Sequence, residues 1–197
     1  MRGRGETARL IFAQAGVDYT DHRFGSEEWK EIKGDMPFGQ VPVLEVDGTE
    51  IAQSTAIGRY LANEFGLAGK NKLEAARADM FVEVIEEARS KYIPWVHVLI
   101  GWKQGDKDEL FNQIVEAAYK TPAAVFEKYL KQNGTGWIVG DSLTWADLVA
   151  AEYFDKGMVY GRPDVLDGFP FVKALTIRVF ELPNIKKYLA TRPPALF

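Results

Sequence analysis

Two arrangements of apolar and polar residues divide this chain into unlike parts. Over residues 1–65 the apolar positions form short groups, and helix and strand signals alternate. From Leu73 onward the apolar positions recur at the spacing of long helices, and strand signals nearly vanish. The pattern predicts a mixed α/β unit at 1–65 and an all-helical unit at 73–197, joined by the linker Gly66-Leu67-Ala68-Gly69.

The clearest local signal in the first unit is a hairpin followed by a helix. Two short strands flank Asp47-Gly48, a dipeptide that tolerates positive φ in a two-residue hairpin turn. The apolar positions after Ser54 then recur at helical spacing, and Ser54 or Thr55 can cap the helix. The sequence therefore predicts that the second strand runs directly into a helix.

Pro42 lies inside an apolar strand, where a residue without a backbone N–H cannot donate to a ladder. A strand that opens at Pro42 leaves the main-chain N–H and C=O of Val41 free for a ligand. The free N–H groups at Ser54 form a small anion site a few residues later. Together these groups can hold an extended peptide by its backbone and its carboxylate. The same pattern also fits an ordinary hairpin docked on a helix.

Before the hairpin, the sequence predicts a helix and a strand. Thr7 to Gln14 has the apolar spacing of a helix, and Gly16 is a stop signal. Val17 to Phe24 is predicted as a strand. An amphipathic first helix usually follows a strand and crosses over to the next one, but no such strand precedes it in this sequence.

The polar segment between these elements and the hairpin contains Trp29 and Lys33, four residues apart. A tryptophan on a polar helical turn is often a local packing anchor. Alternatively, the indole N–H and the ammonium can both donate to one carboxylate. The spacing fits both interpretations.

The helical unit carries strong signals for where its helices begin and end. Thr144 and Asp147 have the spacing of a reciprocal cap, which is a folding signal rather than a catalytic site. Pro170 and Pro183 each open a helix, whereas Pro122 marks an internal kink or a boundary.

Composition excludes several classes of function. The chain contains no cysteine, so it can form no disulfide and has no thiol of its own. The net charge is −4, with scattered basic residues, which gives no electrostatic footprint for nucleic acid. No apolar run has the length of a membrane span, and no signal peptide opens the chain. These features predict a cytoplasmic protein.

Three glutamates, Glu83, Glu86 and Glu87, share one face of a predicted helix. Such a face is usually solvated, although it can also bind a divalent cation or a ligand amine. The two histidines lie far apart in the sequence, so no metal site is predicted.

The order of elements and several short motifs resemble those of the glutathione transferases, most closely the sigma class. The motifs are Met1-Arg2-Gly3-Arg4-Gly5-Glu6, Pro37-Phe38-Gly39-Gln40-Val41-Pro42, Leu44-Glu45-Val46-Asp47-Gly48, Gln53-Ser54 and Gly140-Asp141-Ser142-Leu143-Thr144-Trp145-Ala146-Asp147. The resemblance covers residues 1–197. It implies a thioredoxin-like domain at 1–65, an all-helical domain at 73–197, a homodimer, and glutathione as co-substrate.

The resemblance also implies a glutathione site. Its residues are Arg4, Trp29, Lys33, Gly39, Gln40, Val41, Pro42, Gln53, Ser54 and, from the neighbouring subunit, Glu87. Pro42 would follow a cis peptide bond, and the main chain of Val41 would pair with the cysteinyl backbone. Gln53 and Ser54 would hold the γ-glutamyl carboxylate. Arg4 would lie beside the sulfur as a supporting catalytic group. The glycine end would face Trp29, Lys33 and Gln40.

An apolar electrophile would bind next to this site. The residues that the resemblance suggests as its walls are Tyr92, Trp95, Val149, Tyr153 and Phe197. Glutathione-dependent isomerisation of a prostaglandin endoperoxide is a second activity that the resemblance implies. The same aromatic positions also fit a plain hydrophobic core.

A thioredoxin-like sheet without cysteine cannot exchange disulfides, so it would use the thiol of a ligand. In the related enzymes a tyrosine at the end of the first strand donates a hydrogen bond to that thiol. By the family pattern this tyrosine would lie three places before Met1, and this sequence does not include it. We therefore expect weak conjugating activity from residues 1–197. The alternative is a non-catalytic relative that binds glutathione or another ligand, or a crystallin-like structural protein.

Overall fold

The computed structural model describes residues 2–194, and in it short elements come first and long helices follow. The N-terminal half consists of α1, α2, β1, β2 and α3, which span Glu6–Ala15, Ser26–Ile32, Val43–Val46, Thr49–Ala52 and Ser54–Glu64. A 3₁₀ turn, Lys33–Asp35, follows α2.

The helical half contains α4 to α10, which span Lys72–Lys91, Ile93–Leu99, Lys107–Leu110, Glu116–Asn133, Trp145–Lys156, Pro170–Phe180 and Pro183–Thr191. π-helical turns, Phe111–Val115 and Gly157–Gly161, precede α7 and follow α8. This order confirms the predicted fold class of a small α/β unit followed by helices. Among the residues described, no helix is both long and apolar enough to cross a membrane.

The predicted hairpin is present. β1 and β2 are antiparallel, and Val46 pairs with Thr49 across the turn. Asp47 and Gly48 have φ of 49° and 77°, as a two-residue turn of this kind requires. Helix α3 begins at Ser54, immediately after the second strand.

The prediction of a strand at Val17 to Phe24 is wrong. This segment is extended but unpaired, and β1 and β2 pair only with each other in the part of the chain that the structure describes. Without a neighbouring strand, its apolar residues pack locally instead. The ring of Tyr19 stacks on that of Phe12, with centroids 4.4 Å apart.

Most helix boundaries lie where the sequence places them. Gly16 ends α1 in the left-handed conformation with φ 68°, and Pro170 and Pro183 occupy the first turns of α9 and α10. The reciprocal cap of Thr144 and Asp147 is present at the start of α8. Pro122 lies inside α7 and does not end it.

The core is centred on α8, in which nearly every residue is buried. Trp145, at its start, also joins the two halves of the chain. A side chain on Gly58 of α3 would collide with the Trp145 ring, because an added Cβ would lie 2.8 Å from Cζ3. The Trp145 backbone N–H donates to Leu67 O at 2.9 Å, so the predicted linker is part of the packed structure.

Candidate functional site

The hairpin register places two predicted site segments side by side. Val43, the first residue of β1, pairs with Ala52, the last residue of β2. The residues just before the first strand, Val41-Pro42, therefore lie next to those just after the second, Gln53-Ser54. The peptide bond between Val41 and Pro42 is cis, as the resemblance implies.

The main chain of Val41 is available for binding at this end of the hairpin. Val41 is 44% exposed, and its backbone N–H and C=O have no hydrogen-bond partner within residues 2–194. Pro42 supplies no N–H, so the strand pairing starts only at Val43. An extended peptide can therefore form main-chain hydrogen bonds here.

The N-terminus of α3 is open at the same place. Gln53 is its cap residue and makes no side-chain hydrogen bond to the first turn, so the predicted capping by Ser54 or Thr55 is wrong. Gln53 has φ 74° and ψ 116°, an unusual conformation for a residue with a side chain. The first N–H groups of the helix are left for an anion, which the helix dipole also favours.

A small cleft of about 10 Å³, room for about one water molecule, lies beside this helix start, between α1, α3, α4 and α8. It is lined by Thr7, Ser54, Thr55, Val82, Glu86, Arg89, Trp145 and Val149. The cleft therefore combines the open helix N-terminus with a carboxylate and a guanidinium from the helical half.

Arg4 reaches this region from the loop before α1. Its Nη1 lies 2.6 Å from Glu86 Oε2, and its side chain is 43% exposed. Glu86 Oε1 in turn lies 3.5 Å from Arg89 Nε. The structure therefore places a guanidinium at the mouth of the cleft, held by a carboxylate that faces two cations.

The residues predicted for the glycine end are brought together only in part. Lys33 lies next to Gly39, since a Cβ added to this glycine would be 3.8 Å from Lys33 Cε. The Trp29 ring stacks on Phe24, with centroids 5.6 Å apart, which fits a packing anchor. Lys33 and Gln40 are exposed.

The three glutamates singled out on α4, Glu83, Glu86 and Glu87, contact separate cations. Glu83 pairs with Arg59 at 3.6 Å and Glu87 with Lys91 at 2.7 Å, while Glu86 faces Arg4. Within residues 2–194, no acidic or histidine cluster could hold a metal ion. Glu87, with a side chain 74% exposed, lies free on the surface apart from the Lys91 pair.

The suggested electrophile walls do not surround one cleft. Tyr92, Trp95, Val149 and Tyr153 are at most 2% exposed, and the two tyrosine rings stack with centroids 5.8 Å apart. Burial raises the pKa of both tyrosines above the ordinary range. Phe197 lies outside the described residues. These positions are therefore largely core, as the alternative interpretation has it.

A second and larger cleft, of about 180 Å³, lies beside Trp95. Its lining consists of Trp95, Lys107, Asp108, Phe111, Asn112, Tyr160, Gly161 and Arg162. Val149 instead lines the first cleft. Since the turn after α8 is distant in sequence from α5 and α6, their convergence gives no local signal.

Sequence reasoning missed the buried charges beside the site. Arg89, Glu152 and Lys156 have side chains only 4%, 2% and 2% exposed. The available signal was a glutamate and a lysine four residues apart on α8, whose neighbours are almost all apolar. Charged residues in such a helix need partners in the interior.

Comparison with known proteins identifies both halves. Residues 1–63 match the N-terminal domain of glutathione S-transferases, and residues 91–192 match the C-terminal domain. The chain is 47% identical over 195 residues to the probable glutathione S-transferase gst-36 of Caenorhabditis elegans, covering 98% of this chain and 93% of that protein. It is 35% identical over 193 residues to human hematopoietic prostaglandin D synthase, with the same coverage.

Solved structures give the same result. A monomeric glutathione S-transferase of the hookworm Necator americanus has a TM-score of 0.96 at 40% identity, covering 100% of this chain and 96% of that one. A Nu-class enzyme of Haemonchus contortus has a TM-score of 0.89 at 44% identity, covering 100% and 95%.

Proposed function

The chain belongs to the glutathione S-transferase family, and we propose that it binds glutathione between Val41 and Ser54 and presents the thiol to apolar electrophiles. The family uses glutathione as its co-substrate. The observation that carries the proposal is the hairpin register, which sets a free main chain beside an open helix N-terminus. A tripeptide with a carboxylate at one end needs these two features together.

The proposed binding mode uses each free group once. The cysteinyl N–H and C=O pair with the main chain of Val41, and the γ-glutamyl carboxylate accepts from the first N–H groups of α3 and the Ser54 hydroxyl. Gln53 donates its amide N–H to the same carboxylate. Trp29 and Lys33 donate to the glycine carboxylate, beside Gly39 and Gln40.

The protein's contribution to chemistry is to keep the bound thiol ionised. Since the chain has no cysteine, glutathione supplies the sulfur. Arg4 stabilises the thiolate by its charge; lowering a thiol pKa by two units corresponds to about 2.7 kcal/mol. The thiolate then attacks an electrophilic carbon, the carbon–sulfur bond forms, and the leaving group departs with its electron pair.

Calorimetric titration of residues 1–197 with glutathione tests the proposal. We expect saturable binding that is weakened about tenfold in Ser54→Ala, which removes one hydrogen bond to a charged group. Ser90→Ala, an exposed position on α4, is the matched control. Equal affinity in Ser54→Ala and wild type, or no binding at all, would refute the site.

Conjugation of glutathione to an aryl halide tests the activity separately. We expect weak turnover by residues 1–197, because the charge of Arg4 is the one group proposed to stabilise the thiolate. Near-normal turnover would contradict it. Saturable binding with no turnover would favour the non-catalytic alternative.

Two relatives bear on the class of this protein and on its electrophile. Identity is 44% to the Haemonchus contortus enzyme described as Nu-class and 35% to human hematopoietic prostaglandin D synthase, so the sigma-class prediction is finer than the similarities support. We propose apolar electrophiles as the main substrates and prostaglandin H2 isomerisation as a second activity. Incubation with prostaglandin H2 and glutathione, with D2 as the measured product, tests the latter.

We further propose a homodimer, in which Glu87 of one subunit reaches the γ-glutamyl amine bound to the other. Exposed apolar side chains support it: Phe38 is 66%, Leu73 71% and Met80 44% exposed. Light scattering after size exclusion tests the assembly. A monomer, which is how the Necator americanus structure is described, would refute both the dimer and the role of Glu87.

A further inference from the structure

A row of alternating charges runs from the interior of the helical half to Arg4. Its members, here called the charge chain, are Lys156, Glu152, Arg89, Glu86 and Arg4. The first three lie in the core, and the last is on the surface beside the proposed thiol position. No step of the proposed function uses the three buried members.

Each link of the charge chain is a direct ion pair. Lys156 Nζ contacts Glu152 Oε1, and Glu152 Oε2 lies 3.1 Å from Arg89 Nη2. Arg89 Nε lies 3.5 Å from Glu86 Oε1, and Glu86 Oε2 lies 2.6 Å from Arg4 Nη1. The two oxygens of Glu86 thus face opposite directions, one toward the core and one toward Arg4.

The protein maintains these charges in a place where burial opposes them. Burial alone raises the pKa of Glu152, but Lys156 and Arg89 together lower it below its ordinary value. Glu152 is therefore ionised, and its charge fixes the guanidinium of Arg89. A buried ion set of this kind contributes little net stability compared with apolar residues of the same size. Packing alone therefore does not account for it.

A second ion pair also joins the loop before α1 to the helical half, and it can be compared with the charge chain. Arg2 Nη1 lies 2.8 Å from Asp155 Oδ2, which attaches the N-terminal loop to α8. Lys156 Nζ also approaches Gly3 O at 3.4 Å. The loop is thus held to α8 near Arg2 and Gly3, whereas the Arg4 guanidinium contacts Glu86, a member of the charge chain that lies on α4.

We propose that Glu152 and Arg89 are positioning residues: through Glu86 they fix the Arg4 guanidinium beside the thiol of bound glutathione. The inference rests on the proposed function. It adds that two buried residues of the core orient the Arg4 guanidinium. Neither residue is proposed to touch glutathione. Loss of Glu152 frees Arg89 to turn toward Glu86, which then releases Arg4 from its fixed position.

The test is the thiol pKa of glutathione bound to residues 1–197, measured from the ultraviolet absorbance of the thiolate across pH. We expect Glu152→Gln to raise this pKa by about one unit, which is a tenfold decrease in the ionisation constant of the bound thiol. Asp155→Asn, which releases Arg2 from the same helix and leaves every ion pair of the charge chain in place, is the matched control and should leave the pKa of the thiol nearly unchanged. Glutathione affinity should change little in both variants.

Glu152→Gln can also destabilise the fold, so chemical denaturation must show that the measured protein is folded. If it is not, Arg89→Lys gives the same test, because it keeps the buried charge but lacks the planar fork that faces two carboxylates. Equal pKa values in the charge-chain variant and Asp155→Asn would overturn the inference and leave the proposed function standing. A wild-type thiol pKa equal to that of free glutathione would also overturn it. Absence of glutathione binding would refute both.

Discussion

The two halves of this protein treat their polar groups in opposite ways. In the N-terminal half the groups proposed to bind glutathione are left open: Val41 is 44% exposed, and the first turn of α3 has no side-chain cap. In the helical half, Glu152 and Lys156 are buried and form an ion pair with each other, and Glu152 also pairs with Arg89. The difference indicates that the first half supplies the recognition groups while the second supplies the rigid support. Four variants test this division.

The largest effect should come from the residue that joins the halves. Trp145 is 1% exposed and packs directly on Gly58. We expect Trp145→Ala to lower the free energy of unfolding by about 4 kcal/mol, because the cavity it leaves lies in the core. Trp102→Ala, at a tryptophan that is 67% exposed, is the control and should change it by less than about 0.5 kcal/mol. The free energies of unfolding are measured by urea denaturation. Equal losses in the two variants would contradict the role assigned to Trp145 in joining the two halves.

The next effect tests whether the N-terminal half also depends on a buried charge. Glu6 is 1% exposed and accepts from Arg192 Nη1 at 2.8 Å and from Tyr188 Oη at 3.1 Å. Glu6→Gln leaves Arg192 without its carboxylate, so we expect a loss of about 3 kcal/mol. Glu27→Gln removes an exposed pair with Lys30 and should cost less than about 0.5 kcal/mol. Denaturation of both variants in guanidinium chloride gives the comparison.

A smaller effect is the pH dependence that Asp147 brings to the helical half. Burial raises its pKa to about 6, although Ile138 N–H and the Thr144 N–H and hydroxyl all donate to it. A carboxyl whose folded pKa lies above its unfolded value binds more protons when folded, so stability falls as pH rises through about 6. We expect wild type to lose about 2 kcal/mol relative to Asp147→Asn between about pH 4 and pH 7.

The measurement is the stability difference between the two proteins in urea at several pH values. Because Asp147→Asn also alters the cap, only the change of this difference with pH bears on the prediction. A difference that grows in the opposite sense, with wild type favoured as pH rises, would show that the three hydrogen bonds outweigh burial.

The smallest effect concerns the hairpin turn that carries the proposed site. Gly48 has φ 77°, a conformation in which the Cβ of an L-residue crowds its own backbone. We therefore expect Gly48→Ala to lower the free energy of unfolding by about 1 kcal/mol. Gly34→Ala is the control, since Gly34 has ordinary backbone angles and open space around it. Thermal unfolding compares the two; equal midpoints would mean that the turn contributes nothing to the stability of this half.

Part of the candidate site could be predicted from the sequence because it depends on residues that are adjacent along the chain. The Asp47-Gly48 turn, the free main chain before Pro42 and the helix at Ser54 each follow from neighbouring residues and the backbone groups they lack or supply. Their spacing along the chain also fixes their juxtaposition, since a two-residue turn determines which residues on the two strands pair. The resemblance to glutathione transferases rests on these same short motifs.

The failures have a common cause as well. The segment Val17 to Phe24 has the composition of a strand, but a strand exists only where another backbone pairs with it. Tyr92 and Tyr153 have the character of a pocket lining, yet their rings lie in the core against each other. In both cases the outcome depends on which residues from distant parts of the chain arrive next to the segment.

The sequence by itself determined the turns, the helix ends and the absence of a thiol, because each is a property of a few adjacent residues or of the composition. The tertiary structure alone decided that Glu86, on a face that the sequence predicts to be solvated, binds Arg4, and that Arg89, Glu152 and Lys156 lie behind it. Ion pairs whose two residues lie 63 and 82 positions apart form only after the chain has packed. The physical reason is that charge pairing depends on distance in space, which periodicity along the chain does not encode.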